Sequence, residues 1–309
     1  MKIYHSLEEY RADAPAASRS GCAVTLGKFD GLHLGHRKLV EHVKRTARER
    51  GLLSAVFVID ISGCGILTKE ERAAVLEDMG IDVLIECRFS RQFMQMTPQE
   101  FIRDILAQCL HAVYVAVGTD YRFGHERAGD VLLLEESGPL YGFETDIVEK
   151  ARYLGEEISS TRVRDAICAG DMELVTHLLG RSYSISGEVR HGRHLGTGIG
   201  MPTVNLAPPE GKILPPDGVY AGRTLLEDGT VADGVTNIGF RPTVNGTHRT
   251  VETTLLDFDR DLYGQKIEVT LIRRLRGETR FDSLQSLRAQ VDRDIAAARQ
   301  ILGASGKED

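Results

Sequence analysis

Apolar and polar positions change their rhythm near residue 180, and that change divides the chain. Before it, short apolar runs alternate with stretches whose apolar residues recur every three or four positions. Ala23-Val24-Thr25-Leu26 reads as a strand, Arg37–Arg50 as a helix with Leu39, Val40, Val43 and Ala47 on one stripe, and Leu53–Ile59 again as a strand. Lys69–Met79 then predicts a helix, and Val83–Cys87 and Ala112–Val117 predict strands. Thr97-Pro98-Gln99-Glu100 supplies an N-cap, a proline at the first helical position and a capping-box glutamate ahead of Phe101, Ile102, Ile105 and Leu106. Strands alternating with helices predict a parallel sheet covered on both faces, with ligands held at the carboxyl ends of its strands.

Asp171–Leu179 reads as a short helix, and a different texture follows. From Tyr183 to Leu275 the runs are short and alternating, as in Val219–Thr224, Val251–Leu256 and Ile267–Ile272, with glycine, proline and asparagine turns between them. This predicts a compact antiparallel barrel. Phe281–Leu302, carrying Leu284, Leu287, Val291, Ile295 and Ile301, predicts a closing amphipathic helix, and the last residues from Gly303 are expected to fray. The expectation is two domains, residues 1–180 and 181–309.

Composition narrows the function classes. The chain has 42% hydrophobic and 27% charged residues and a formal charge of −7, so a dedicated nucleic-acid binder, which needs clustered Lys and Arg, is not expected. No apolar run suits a signal peptide or a membrane span, which predicts a cytoplasmic protein without a membrane partner. The five cysteines, Cys22, Cys64, Cys87, Cys109 and Cys168, are scattered and never form a CxxC pair. Neither a disulfide framework nor a cysteine-rich zinc site is expected, and most should be small core residues.

Candidate chemistry sits in four stretches. Gly27–His36, GKFDGLHLGH, joins the first strand to the following helix. Its glycines let backbone approach a ligand, the helix start offers free N–H groups, and His33 and His36 flank the opening, which together would suit a triphosphate. A tight turn with solvated histidines is the plainer alternative. Val117–Gly124 is a second glycine-bounded loop directly after a strand. In Ile158-Ser159-Ser160-Thr161-Arg162-Val163-Arg164, either serine could cap a helix running through Ala169, but a cation in the first turn opposes the helix dipole unless an anion binds there. In Met201-Pro202-Thr203-Val204-Asn205, a hydroxyl and an amide oxygen two residues apart on extended chain share one side and can meet a hard cation between phosphates.

The first and third stretches resemble the HxGH and ISSTxxR motifs of the HxGH-type nucleotidylyltransferases. GKFDGLHLGH in full resembles the variant found in prokaryotic bifunctional riboflavin kinase/FAD synthetases, and Gly192–Asn205 resembles the GxxxGxxxGxPTxN motif of riboflavin kinases. Val251–Phe258 is similar to the VETHxLDF strand of that family, and Asn237–Thr243, Asp261–Gly264 and Phe281–Leu284 resemble further family segments, the last of which helps close the flavin site. The resemblance implies a Rossmann-like α/β nucleotidylyltransferase domain followed by an antiparallel β-barrel kinase domain with a C-terminal helix. It implies phosphorylation of riboflavin to FMN and adenylylation of FMN to FAD, with ATP as co-substrate and Mg²⁺ as cofactor. By resemblance, Gly27, Phe29, Asp30, Gly31, Gly35, Ser160 and Thr161 bind nucleotide and His33, His36 and Arg164 stabilise the reacting phosphates. Asp60, Asp120, Phe123 and Gly124 would line the flavin site of the first domain. In the second domain Gly192, Gly196, Gly200 and Pro202 would form a flap around ATP, Thr203 and Asn205 would hold Mg²⁺, and Glu252 would be the base.

Three departures stand out. The family's TFEPHP-like stretch is reduced to Val58-Ile59-Asp60, without the Pro-His-Pro and with a shortened connection to Thr68. The usual GNFDG reads GKFDG, placing Lys28 near the proposed phosphates, and Thr254 stands where a histidine is frequent. Two alternatives therefore accompany the bifunctional reading. One is a monofunctional riboflavin kinase with a degenerate or regulatory first domain. The other is an HxGH enzyme for another acceptor, with a flavin-sensing barrel.

Overall fold

The computed structural model describes residues 1–13, 21–60, 63–88, 90–190, 203–243 and 246–305. They form two compact units, Met1–Gly63 with Leu67–Ser160, and Cys64–Ile66 with Thr161–Asp309.

The first unit is built on a six-stranded parallel sheet. Its strands are β1 (Lys2–Tyr4), β2 (Cys22–Gly27), β3 (Leu53–Asp60), β4 (Val83–Arg88), β5 (Ala112–Gly118) and β6 (Glu144–Val148), in the spatial order β1-β4-β3-β2-β5-β6. Successive strands run outward from β2 on one side, and β5 starts the other side. The chain therefore reverses direction across the sheet between β2 and β5, which is where a ligand crevice opens beyond the strand ends. Alternation assigns the faces. Val24, Leu26, Phe57, Ile85 and Val115 pack against α1 (Leu7–Asp13) and the helical Phe101–Ala107 segment, while Ala23, Val56, Val58 and Ala116 face α2 (Leu34–Arg50) and α3 (Lys69–Asp78).

Side-chain caps set several helix ends. Thr68 and Glu71 form the capping box of α3, and Thr97 and Glu100 form another before Pro98–Glu100. That second helix does not continue as α: Phe101–Ala107 is a π-helix, and Gln108 N–H bonds Arg103 O. α4 (Val131–Tyr141) then leads to β6. Cys22, Cys87 and Cys109 are buried, Cys64 and Cys168 are exposed, and all five thiols are free.

The second unit begins with α5 (Ser160–Ala169) and α6 (Met172–Leu179), the latter N-capped by Asp171. A closed antiparallel barrel follows: β7 (Tyr183–Arg190), β8 (Thr203–Leu206), β9 (Gly218–Leu225), β10 (Val231–Thr243), β11 (Gly246–Leu255) and β12 (Lys266–Arg276), ordered β7-β8-β11-β10-β9-β12. The interior carries Ile238, Val251 and a buried Thr236–Thr253 hydroxyl pair 3.0 Å apart. α7 (Leu284–Ser305) covers part of the outside, packing Ala298 and Leu302 on Val219, Ala221 and Val235. It starts three residues later than Phe281 and continues past Leu302, so Gly303 lies inside the helix. The Cys64–Ile66 segment pairs within this unit, with Gly65 N–H bonding Gly211 O at 2.7 Å and Ile213 N–H bonding Gly65 O at 3.0 Å.

Candidate active sites

In the first unit, the carboxyl end of β2 turns directly into α2. Phe29 and Leu32 adopt positive φ of 47° and 43°, a conformation that non-glycine side chains resist. Both are fully buried with Val40, Val56 and Leu76, so core packing holds the turn in place. Phe29 thus supports the site from beneath, its ring 5.0 Å from that of His36. Gly27, Asp30 and Gly35 are half-buried around the turn, Gly31 is buried and Lys28 is exposed.

His33 is the N-cap of α2, its Nδ1 accepting the His36 backbone N–H at 3.3 Å. That bond leaves the proton of neutral His33 on Nε2, available as a donor. The two imidazoles stack at 3.7 Å and 18°. A Cβ on Gly35 would stand 3.1 Å from the His33 ring, so glycine is what lets this ring fold back over the helix start. Burial pushes His33 down to about 4, with Asp30 and the ring's own backbone bond opposing it. Burial, then the neighbouring His33, holds His36 well below the ordinary histidine range. Both rings are therefore neutral at pH 7, and His36 Nδ1 is buried with no hydrogen-bond partner among the described residues. The start of α2 holds no acidic side chain in its first turn. Neutral donors and an unopposed helix dipole suit polyphosphate.

Ser160 reaches this turn, donating its hydroxyl to Asp30 O at 3.1 Å, and the Ile158 carbonyl lies 3.8 Å from the Cβ position of Gly35. Thr161 and Arg164 follow on α5, in the second unit. In the loop after β5, exposed Asp120 pairs with Lys150 at 2.9 Å, and the same ammonium meets Glu157 at 3.0 Å. Phe123 is buried against Tyr121 and Phe101, with ring centroids 5.7 and 5.3 Å away, and Gly124 closes the loop. Asp60 ends β3, but its side chain lies outside the described residues.

In the second unit, strand register assembles a site that the sequence spreads over 50 residues. Asn205 of β8 pairs with Glu252 of β11, and Glu252 pairs with Asn237 of β10. Paired residues share a face, and Val251, Thr253 and Ile238 take the interior, so Asn205, Glu252 and Asn237 form a row on the outside. Thr203 and Thr254 form the next pair on that face. Thr250 donates its hydroxyl to Glu252 Oε1 at 3.4 Å. Asn205 Oδ1 is buried and has no hydrogen-bond partner among the described residues. An orphaned amide oxygen beside a hydroxyl fits a hard cation better than it fits an apolar contact. Among the described residues no three His, Cys, Asp or Glu side chains converge, so such a cation would take further ligands from a phosphate substrate. A cavity of about 220 Å³ adjoins Thr203, its lining including Leu255 and Phe258 and the charged Asp259, Arg260 and Asp261. Gly192, Gly196, Gly200 and Pro202 lie outside the described residues.

Comparison with known proteins gives these sites their context. The FAD synthetase family model matches residues 16–162 and the riboflavin kinase model matches residues 179–302. The bifunctional riboflavin kinase/FMN adenylyltransferase of Escherichia coli K12 is 40% identical over 93% of this chain and 95% of its own length. The chain belongs to the bifunctional riboflavin kinase/FMN adenylyltransferase family. The Pseudomonas fluorescens member is 35% identical, with 99% of both chains covered. The crystal structure of a macrolide-efflux protein from Streptococcus pneumoniae matches with a TM-score of 0.83 at 30% identity, covering 90% of this chain and 94% of that one. That name concerns transport, and among the described residues no helix of this family member is long and apolar enough to cross a membrane.

Two features of this family member were out of reach of sequence reading. Asn237 lay inside a recognised segment, yet only the register shows it opposite Glu252. Lys150 carries no motif, and its bridge to Asp120 and Glu157 depends on where two separate loops meet.

Proposed function

We propose that the chain divides at 180/181 into an adenylyltransferase segment and a kinase segment. The chain phosphorylates riboflavin and adenylylates FMN, with ATP as co-substrate of both reactions. The monofunctional and flavin-sensor readings give way, because both family models match and the loss of Pro-His-Pro leaves the HxGH turn fully built. The observation that carries the kinase assignment is the pairing of Glu252 with Asn205, whose buried oxygen, beside Thr203, has no hydrogen-bond partner among the described residues.

In the kinase reaction Glu252 takes the proton of the terminal ribityl hydroxyl. That oxygen attacks the γ-phosphorus of ATP, the bond from γ-phosphorus to the bridging oxygen breaks, and ADP leaves. Thr203 and Asn205 would hold Mg²⁺, which when bound would supply positive charge against the ATP phosphates. The cavity beside Thr203, where Leu255 and Phe258 lie alongside Asp259, Arg260 and Asp261, would take the adenosine moiety.

In the adenylyltransferase reaction an FMN phosphate oxygen attacks the α-phosphorus of ATP, and pyrophosphate leaves. No protein nucleophile is needed. Neutral His33 and His36 and the start of α2 would stabilise charge on the phosphates. Gly27, Asp30, Gly31, Gly35 and Ser160 would shape the triphosphate cradle. The Asp120–Gly124 loop would border the flavin site. We further assign the enzyme to the cytoplasm, with no nucleic-acid or membrane partner.

The test is a chromatographic time course of the purified protein with riboflavin, ATP and Mg²⁺. FMN is expected first and FAD after it. FMN that accumulates without FAD, even when FMN is supplied directly, would overturn the adenylyltransferase assignment.

A further inference from the structure

The row on the barrel has a direction. Across β8, β11 and β10 it runs Asn205, Glu252, Asn237, and neighbouring strands lie about 4.8 Å apart. If the phosphoryl donor sits at Thr203 and Asn205 and the base in the middle, the acceptor must approach from the far side, over β10. There the next outward position after Asn237 is Gly239, paired with Thr250. Gly239 is not in the left-handed region, so its lack of a side chain concerns space rather than backbone conformation. A Cβ there would collide with the Glu278 carboxylate, reaching over from the loop after β12, and would stand 3.6 Å from Asn237 Nδ2. A glycine in a strand often marks where another group comes close to the backbone. Here an amide donor and a carboxylate acceptor converge above that bare floor, one strand beyond the base.

We infer that Asn237 and Glu278, over the floor at Gly239, form the subsite for the secondary hydroxyls of the polyol acceptor and set which flavin side chains are phosphorylated. A hydroxyl both donates and accepts, so an amide N–H₂ and a carboxylate side by side are complementary to adjacent hydroxyls of one chain. Held there, the chain projects its terminal hydroxyl back along the row towards Glu252. The inference rests on the reading of Glu252 as base and of Thr203 and Asn205 as the donor side.

The experiment is steady-state FMN formation by the full-length enzyme and its E278Q and N237A variants. The acceptors are riboflavin and flavins that each lack one secondary ribityl hydroxyl but keep the terminal one. Removing a hydrogen bond to a charged group should raise the riboflavin KM in E278Q about 10-fold or more. The ATP KM and FAD formation from supplied FMN should stay at the parent values. For at least one deoxy flavin, E278Q should add no further loss, because the hydroxyl it serves is already gone. Unchanged riboflavin KM in E278Q, or an equal KM rise for riboflavin and every deoxy flavin, would overturn the subsite. E278Q alters an exposed loop residue, so the subsite is tested whether or not N237A folds. The underlying reading fails separately, if Glu252→Gln retains the parent kcat.

Discussion

His33 joins structure and chemistry in one side chain. Its Nδ1 caps α2, and its other nitrogen faces the place proposed for phosphate. The folded value of about 4 lies below the ordinary 6.5, so between those values the unfolded chain binds more protons than the folded one. Stability therefore rises with pH across that window and is lost as pH falls from 6.5 towards 4. His33→Asn keeps a capping oxygen but removes the titration. Denaturant melts from pH 7 to 4 should show a flatter pH dependence in the variant, by up to about 3 kcal/mol over the window. An unchanged slope would mean that His33 does not carry the burial penalty assigned to it.

At the scale of elements, α7 shows which instructions are local. The apolar spacing from Leu284 to Ile301 announced the helix, but its start does not follow the first apolar residue. Phe281 lies under the Arg276 guanidinium, 5.8 Å from its ring centre, and Ser283 caps instead, its Oγ accepting the Ser286 N–H at 3.1 Å. The helix is fastened to the barrel by a bidentate pair between Arg276 and buried Asp294, and by Leu302 against Val219, Ala221 and Val235. Leu302→Ala should cost about 2–5 kcal/mol of the second unit's stability, read as a lower denaturant midpoint. A loss well below that would show that α7 is not anchored by this contact.

The same distinction explains what else was legible. The cap at Thr97, the strand periods and the GKFDGLHLGH turn depend on neighbours in sequence, and each is found where expected. The π-helix at Phe101–Ala107 and the register that sets Asn237 beside Glu252 depend on packing between distant segments. Candidate residues could thus be chosen by type and motif, but their order across the barrel could not.

For the whole molecule, the two sites differ in kind. One is proposed as an anion cradle with neutral donors at the end of a parallel sheet, the other as a single carboxylate between two amides on a closed barrel. Variants should separate them. His36→Ala is expected to abolish FAD formation from supplied FMN while FMN formation continues, and Glu252→Gln should do the reverse, lowering kcat for FMN formation by about 10²–10⁴. Equal loss of both activities in either variant would contradict the division.

Closure of the barrel also limits how this enzyme could change its acceptor. A strand in a ring cannot slip by one step without disturbing both neighbours, and such a step in β11 would turn Glu252 inward and Thr253 outward. The spacing between donor, base and acceptor is thereby quantised, like notches on a ratchet. New substrate preferences are open only to groups that reach over the surface from loops, as Glu278 does, while the row beneath must be inherited whole.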